Sequence, residues 1–441
     1  MLSFNVVLQV IKDRIGNKNP LRLGYHWCRA LLAAVHYGFP ARKLTVIGVT
    51  GTDGKTTTVC MIAHALTKRG IRCGALSTSF FQIGDRTEWN ETRKTSPSPF
   101  LVQRFLRDLT REGCTHAVLE YSSHGLVQHR TAFTWPRVAV ITNTAQEHLD
   151  YHRSLAQYRH DKAKLFRMLQ GKGAKVLNAK DGSFDVLKRI PSQHTYLFNS
   201  MNHEPSTINE FMVHSSWLTD IRVTTDGCAA TLHSDRSIFD LRLPLPGTFN
   251  LANALAAIAA THAVGVPVAD AVRALADVRG APGRMERVDE GQPFSVFIDF
   301  TVTPQAYAAA LSAATAMRDP GKRLLVLAGS CGDRMREKRP EIGRLCSKFA
   351  DVAVFTFEET YAEDPEKILD DIWTGVDETQ CELHRIMDRT EAIRFILSAA
   401  QPGDIVLICG MGAYPVMQTQ QGAIPWDEQN VVRRALLHYM H

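Results

Sequence analysis

The stretch Leu44-Thr-Val-Ile-Gly-Val-Thr-Gly51-Thr-Asp-Gly-Lys55-Thr-Thr-Thr58 decides the fold. Leu44–Val49 is an apolar run rich in β-branched residues, which reads as a buried strand. A glycine-rich turn follows, and a helical pattern runs from Lys55 to about Lys68. The glycines let the backbone curl so that several N–H groups of Gly51, Thr52, Asp53, Gly54, Lys55, Thr56 and Thr57 point inward at a phosphate. The helix start adds the positive end of its dipole. Lys55 supplies a mobile cation for the β- and γ-phosphates, and the Thr56 hydroxyl suits Mg²⁺. The bland alternative is a turn that only joins strand to helix. Gly-Lys-Thr directly after a buried strand weighs against it. The pattern specifies a nucleoside triphosphate, ATP, and leaves open what the energy is used for.

Outward from this loop, strand and helix patterns alternate. Thr115–Tyr121 and Arg137–Thr142 read as buried strands, with helical stretches near 99–112 and 154–169. That alternation predicts an α/β fold: a parallel sheet with helices on both faces. Residues 210–245 break the pattern with four short alternating runs, a small antiparallel excursion. Helices are expected at about 250–264 and 268–278. Ser295–Phe300, Arg323–Gly329, Asp351–Phe357 and Asp404–Gly410 then alternate with helices in a second α/β unit. Glycine and proline punctuate the join at Gly280–Gln292. The expected division is a short helical lead-in over 1–43, a central ATP-binding domain over 44–286 and a C-terminal domain over 287–441.

Composition narrows the class. The chain has 441 residues, too long for one ordinary domain. Its net charge of +6 suits a small anionic substrate but is too weak an excess to argue for nucleic acid. No run is long and apolar enough to span a bilayer, and the start lacks the pattern of a secretory signal. The nine cysteines form no CxxC pair, so reduced thiols in a cytoplasmic protein are expected.

Glu120 ends a predicted strand and leads into Tyr121-Ser122-Ser123-His124-Gly125. A carboxylate at the carboxyl end of a parallel strand lies where ligands bind in such sheets, and it suits a second Mg²⁺. The next strand ends in Thr142-Asn143, followed by Glu147-His148-Leu149-Asp150-Tyr151-His152, where His148 or Asp150 could complete a metal site. Each residue alone reads more simply as loop polarity; their shared place at strand ends beside a phosphate loop raises the functional reading.

The chain resembles the Mur ligases, most of all the branch that forms the UDP-N-acetylmuramoyl tripeptide. The motifs that carry the resemblance are GVTGTDGKTTT, LEYSSHGLVQHR, TNTAQEHLDYHRSLAQYRHDKAKLF, LPGTFNLANALAA, APGRMERV, GDRMREKRPEIG, EDPEKILDDI and PWDEQNVVRRAL. The resemblance implies a central P-loop ATPase domain followed by a Rossmann-like C-terminal domain. It also implies a reaction in which a substrate carboxylate takes the γ-phosphate and an amine displaces phosphate from the acyl phosphate. Carried over by motif, Lys55, Glu120, His148 and Lys162 are catalytic, and Thr56, Glu120, His148 and Lys162 serve two Mg²⁺ ions. Lys162 matches the lysine that is carbamylated in the family. Asn143, Asn250, Asn253, Arg284 and Asp299 match ATP-side positions. Thr95, Ser96, Ser122, His124 and Arg130 match acceptor-facing positions. Arg334, Lys338, Glu358 and Glu359 fall where the substrates meet the C-terminal domain. The implied partners are ATP, a peptide or UDP-muramoyl-peptide-like acceptor and an amino acid.

Three departures from the family pattern matter. Only about 47 residues precede Gly48, against roughly a hundred in usual members, the size of a small domain. Either a UDP group is held differently or the acceptor carries none. After Asp299 the family reads Tyr-Ala-His-Thr-Pro-Asp, whereas this chain reads Phe300-Thr-Val302-Thr-Pro-Gln305. The Asp-Asn-Pro-Arg of diaminopimelate users is Glu358-Glu359-Thr360-Tyr361 here, and Gly-Lys-Gly-His-Glu is Gly410-Met-Gly-Ala-Tyr414. An arginine would clamp a carboxylate bidentately, while two glutamates suit a cation. A basic amino acid or small peptide amine is therefore expected. Two other functions stay open: a ligase outside cell-wall synthesis, for a storage peptide such as cyanophycin or a secondary metabolite, and a nucleotide-binding regulator with little catalysis.

Overall fold

The computed structural model describes residues 18–145, 149–199, 213–235, 237–333 and 335–439. Two site candidates, His148 and Arg334, lie outside the described residues, as does the first part of the lead-in. By backbone contacts the chain divides into two units. The first takes residues up to 219 with 231–241 and 252–275; the second takes 220–230, 242–251 and 276–441.

The lead-in forms helix α1 (Pro20–His36), capped by the Asn19 side chain accepting from Leu21 N at 2.9 Å and started by Pro20. Its small residues Ala30, Ala33 and Ala34 are buried, while Leu21, Tyr25, Leu32 and Val35 stay exposed. The strands that follow are β1 (Thr45–Thr50), β2 (Cys73–Leu76), β3 (Phe80–Ile83), β4 (Arg86–Trp89), β5 (His116–Glu120), β6 (Val138–Ile141), β7 (Ala174–Asn178), β8 (His194–Asn199), β9 (Val213–Thr224), β10 (Gly227–Ser234) and β11 (Ser237–Leu243). They order as β11-β10-β9-β8-β7-β6-β1-β5-β2-β3-β4. From β9 through to β2 every neighbouring pair is parallel, as the apolar runs predict. The β2–β3–β4 edge is antiparallel. Residues 210–245 yield three strands where four runs suggest four: two of the runs fuse into the twelve-residue β9, whose polar Thr219-Asp220 centre imitates a turn.

Helices α2 (Lys55–Lys68), α3 (Pro99–Arg111), α4 (Ser123–Val127), α5 (Leu149–His152), α6 (Leu155–Arg167), α7 (Phe184–Leu187), α8 (Thr248–His262) and α9 (Val268–Leu275) accompany these strands. One core of this unit joins Val46, Ala117, Leu119, Ala139 and Ile141 of the sheet to Phe105 and Leu109 of α3 and Leu165 and Phe166 of α6.

The second unit carries a six-stranded sheet. Its strands are β12 (Glu286–Val288), β13 (Ser295–Asp299), β14 (Leu324–Ala328), β15 (Val352–Phe355), β16 (Glu382–Arg385) and β17 (Ile405–Cys409), in the order β12-β13-β17-β14-β15-β16. All pairs are parallel except β12–β13. Both faces of its central strands are buried, which is why β14, β15 and β17 read as unbroken apolar runs. Phe297, Leu324, Val326 and Leu407 pack one way, against α10 (Pro304–Met317), α11 (Arg339–Phe349) and α12 (Pro365–Trp373). Val296, Leu325, Leu327 and Val406 pack the other way, against α13 (Arg389–Ala399) and α14 (Glu428–Tyr439). A small hairpin, β18 (Val416–Thr419) with β19 (Gly422–Pro425), stands apart. Arg389, at the start of α13, is fully buried and paired with the equally buried Glu428. Its Nε donates to Glu428 Oε2 at 3.0 Å and an Nη to Cys409 O at 2.8 Å.

None of the nine cysteines is in a disulfide; Cys28 on α1 is exposed and the others are partly or fully buried. Among the described residues no helix is long and apolar enough to cross a membrane.

Candidate active site

The loop between β1 and α2 is built against its neighbours by backbone contacts that side chains would block. Gly54 has φ +79° and caps α2; a Cβ there would run into the Asn253 amide. A Cβ on Gly51 would run into the Thr142 hydroxyl. The loop's backbone is pinned from β6 and beyond. Asn143 O accepts from Thr52 N at 2.9 Å, and its side chain takes both ends of Asp53: Oδ1 accepts from Asp53 N at 3.0 Å and Nδ2 donates to Asp53 O at 3.2 Å. Thr142 Oγ1 donates to Asp53 O at 2.6 Å. Asn143 thus shapes the phosphate loop itself. Lys55 Nζ donates to Thr52 O at 2.5 Å, and the buried Lys162 Nζ to Gly51 O, also at 2.5 Å. The Lys162 ammonium also lies 4.3 Å from the centre of the Tyr158 ring.

Register carries Glu120 to this loop: β5 pairs with β1 so that Glu120 stands opposite Val49. Thr56 Oγ1 donates to Glu120 Oε2 at 3.0 Å, and Thr78 N donates to the same oxygen at 2.8 Å. The Thr78 hydroxyl lies 3.0 Å from Glu120 Oε1 and 2.8 Å from Thr95 Oγ1. Glu120 is 1% exposed, and among the described residues no cationic side chain pairs with it. A buried carboxylate held only by hydroxyls and one N–H suits a cation. Mg²⁺ commonly binds one or two carboxylates and completes its shell with phosphate oxygens and water, so the Thr56–Glu120 pair fits the ion. Among the described residues no group of three or more His, Cys, Asp or Glu side chains is arranged to hold a metal ion.

The acceptor-facing candidates form one network beside Glu120. Ser96 Oγ accepts from Ser122 N at 3.0 Å, and Arg130 Nη1 donates to Ser96 O at 3.0 Å. Arg130 also forks onto Gln128 Oε1 at 3.0 and 2.6 Å. His124 packs on the Tyr151 ring, centroids 4.1 Å apart. Asn253 stands instead beside the phosphate loop and α2, its Oδ1 accepting from Thr58 Oγ1 at 3.4 Å. Sequence reading alone assigns no role to Thr78, Thr142 or Tyr158, since nothing local marks contacts made across strands.

The remaining candidates belong to the second unit. Asp299, at the carboxyl end of β13, is buried; its Oδ2 accepts from Met285 N at 2.7 Å, and Thr301 donates to its other oxygen. Burial pushes this carboxyl up, against the pull of Arg284. Arg284 Nη1 donates to Phe300 O at 3.1 Å, and its guanidinium lies over the Phe300 ring. Lys338 Nζ donates to Val302 O at 2.8 Å. Asn250 Nδ2 donates to Pro246 O at 2.7 Å. Glu358 is buried, which pushes its carboxyl up to about 7, and its Oε1 has no hydrogen-bond partner. Glu359 accepts from Tyr361 OH at 3.1 Å and Gln418 N at 3.3 Å.

A phosphate loop after a parallel strand, with a buried carboxylate against its threonine, defines a nucleotide-dependent α/β enzyme. The comparisons narrow the class. The Mur ligase middle domain matches residues 49–261, and the Mur ligase glutamate ligase domain matches residues 283–412. A UDP-N-acetylmuramyl-tripeptide synthetase of Roseiflexus sp. is 36% identical over 416 residues, covering 92% of this chain and 81% of that protein. A UDP-N-acetylmuramoyl-L-alanyl-D-glutamate–2,6-diaminopimelate ligase of Geobacillus thermodenitrificans is 36% identical, covering 99% and 85%. A solved structure of a ligase of that last name aligns with a TM-score of 0.64 at 29% identity, over 90% of this chain and 79% of that one. The folylpolyglutamate synthase of Mycobacterium tuberculosis shares the fold, with a TM-score of 0.68 at 19% identity over 87% and 92% of the two chains. The chain belongs to the Mur ligase family, and it is an ATP-dependent amide ligase.

Proposed function

We propose that the protein joins the amine of an amino acid to the carboxylate of a UDP-muramoyl-peptide-like acceptor through an acyl phosphate. The observation that best supports this is the Thr56–Glu120 contact, which seats a buried carboxylate against the phosphate-loop hydroxyl at 3.0 Å. The loop's N–H groups and Lys55 hold the triphosphate, while Thr95, Ser96, Ser122, His124 and Arg130 face the acceptor. An acceptor carboxylate oxygen bonds to the γ-phosphorus as the bond to ADP breaks. The neutral amine then bonds to the acyl carbon and sheds a proton, and inorganic phosphate leaves with the former carboxylate oxygen. Thr56 and Glu120 would hold Mg²⁺, joined by His148 on the motif match alone, and the ion would supply charge neutralisation between carboxylate and triphosphate. Lys162 carried as a carbamate turns a buried cation into an anion suited to a second Mg²⁺. Arg284, Asp299, Asn250 and Asn253 serve ATP.

The amine donor is a basic amino acid or a small peptide amine. Tyr361 stands where diaminopimelate users carry the clamping arginine, and the unpartnered Oε1 of Glu358 suits an ammonium. Phosphate release from ATP tests the reading, with UDP-N-acetylmuramoyl-L-alanyl-D-glutamate as acceptor and lysine, arginine or diaminopimelate as amine. Release should need both substrates, favour lysine, and fall on the order of a hundredfold or more in Lys55→Ala and Glu120→Gln. Turnover only with acceptors lacking UDP would place the ligase outside cell-wall synthesis. ATP binding without release under any pairing would make the protein a regulator.

A further inference from the structure

A buried chain of polar contacts in the first unit has no part in the roles given so far. His152, at the end of α5, is fully buried. Its Nδ1 lies 2.8 Å from Asp161 Oδ2 and its Nε2 lies 2.9 Å from Ser123 Oγ. Lys18 Nζ reaches the same Asp161 oxygen at 2.7 Å, from 143 residues away in sequence. Gln157 Nε2 donates to the other oxygen at 3.2 Å, and Lys164 Nζ stands 3.4 Å from it. Two lysine ammonium groups and an amide thus surround the Asp161 carboxylate beside the imidazole.

The chemistry fixes the direction of each contact. An ionised carboxylate only accepts, so Nδ1 carries the proton and donates to Asp161. The carboxylate thus fixes which way the ring faces, with Nε2 held on the Ser123 hydroxyl at 2.9 Å. The two ends of the chain lie beside the two halves of the proposed reaction. Ser123 sits between Ser122 and His124, the acceptor-facing pair. Asp161 directly precedes Lys162 on α6, so a fixed Asp161 fixes the rotation of the helix that holds Lys162 under Gly51. The rings of Tyr158 and His124 flank His152 at 5.0 and 5.2 Å and leave it little freedom to turn.

We infer that Lys18, Asp161, His152 and Ser123 form a positioning chain that holds the acceptor-facing turn Ser122–His124 in register with Lys162. None of the four touches the reacting atoms; they act through Ser122, His124 and Lys162. The inference rests on the proposed function for what it positions, but its geometry is independent of the substrate, and the test separates the two.

Hydrogen–deuterium exchange of the full chain reads the turn directly. In Asp161→Asn and Ser123→Ala the amides of 122–127 should exchange several-fold faster, while those of α2 stay unchanged. Lys18→Met, at a partly exposed site, should shift the same amides less and without loss of fold. The kinetic readout is phosphate release with UDP-N-acetylmuramoyl-L-alanyl-D-glutamate and lysine. Acceptor KM should rise on the order of tenfold in Asp161→Asn and Lys18→Met, with ATP KM unchanged. Equal rises in both KM values, or exchange over 122–127 that matches the wild type, would overturn the positioning role. A wild type that releases no phosphate with this pair would sink the functional reading alone, since the exchange result would still decide the chain.

Discussion

Phe300 and Tyr414 pack ring against ring, their centroids 4.7 Å apart at 56°. Both stand where the chain departs from the family pattern, in loops more than a hundred residues apart, and the Arg284 guanidinium lies over the Phe300 ring, 4.6 Å from its centre. The two departures are therefore one packing unit. Tilted aromatic pairs contribute about 0.5–1.5 kcal/mol beyond the area they bury. A double-mutant cycle of Phe300→Ala and Tyr414→Ala by denaturant unfolding should show a coupling of that size. Additive losses would mean that the rings do not support each other.

Gly54→Ala should abolish nucleotide binding while leaving the fold in place. The new methyl meets the Asn253 amide, and φ +79° costs an alanine about 1–2 kcal/mol. Calorimetric titration with ATP checks this beside a thermal melt: lost binding with a modest drop in Tm is the expected pair. Retained affinity would show that the loop opens without help from its glycine.

Glu358 gives stability a slope with pH. Its folded carboxyl titrates at about 7, above an unfolded value near 4.5, so the native state holds the extra proton between these values. Stability contributed by that proton is fully present below about pH 4.5 and is lost as pH rises through 7. Glu358→Gln should flatten this fall, gaining on the order of 1–3 kcal/mol at pH 8 relative to wild type. Unfolding midpoints across pH 5–8 measure it, and parallel curves for both proteins would remove the assignment.

Arg389→Ala should destabilise the second unit by about 3–5 kcal/mol, because Glu428 is left buried and unpaired. Arg389→Met with Glu428→Leu should recover much of the loss. A single variant as stable as wild type would show that water reaches the pair.

Much of this architecture is legible in the chain. The strands that read cleanly are those buried on both faces, such as Leu324–Ala328 and Ile405–Cys409, where nothing polar interrupts the run. Arg86–Trp89 and Glu382–Arg385 do not read as strands because they are edge strands with polar, partly exposed side chains. The phosphate loop and Glu120 are visible because strand ends and glycine spacing mark them locally. The contact between Ser123, His152 and Asp161 is not, since it depends on how α4, α5 and α6 meet. Thr78 escapes notice for the same reason: a threonine after a short strand carries no signal until the sheet brings it to Glu120.

The cysteines have a practical consequence. Burial pushes Cys60 up to about 12 and Cys73, Cys228 and Cys381 to about 11, which leaves little thiolate at neutral pH. Cys28 alone is exposed, on α1, nine residues past the N-cap Asn19 that follows Lys18. A maleimide dye should therefore label the native chain at a single position, giving a fluorescence reporter on the helix nearest Lys18 without any engineered cysteine.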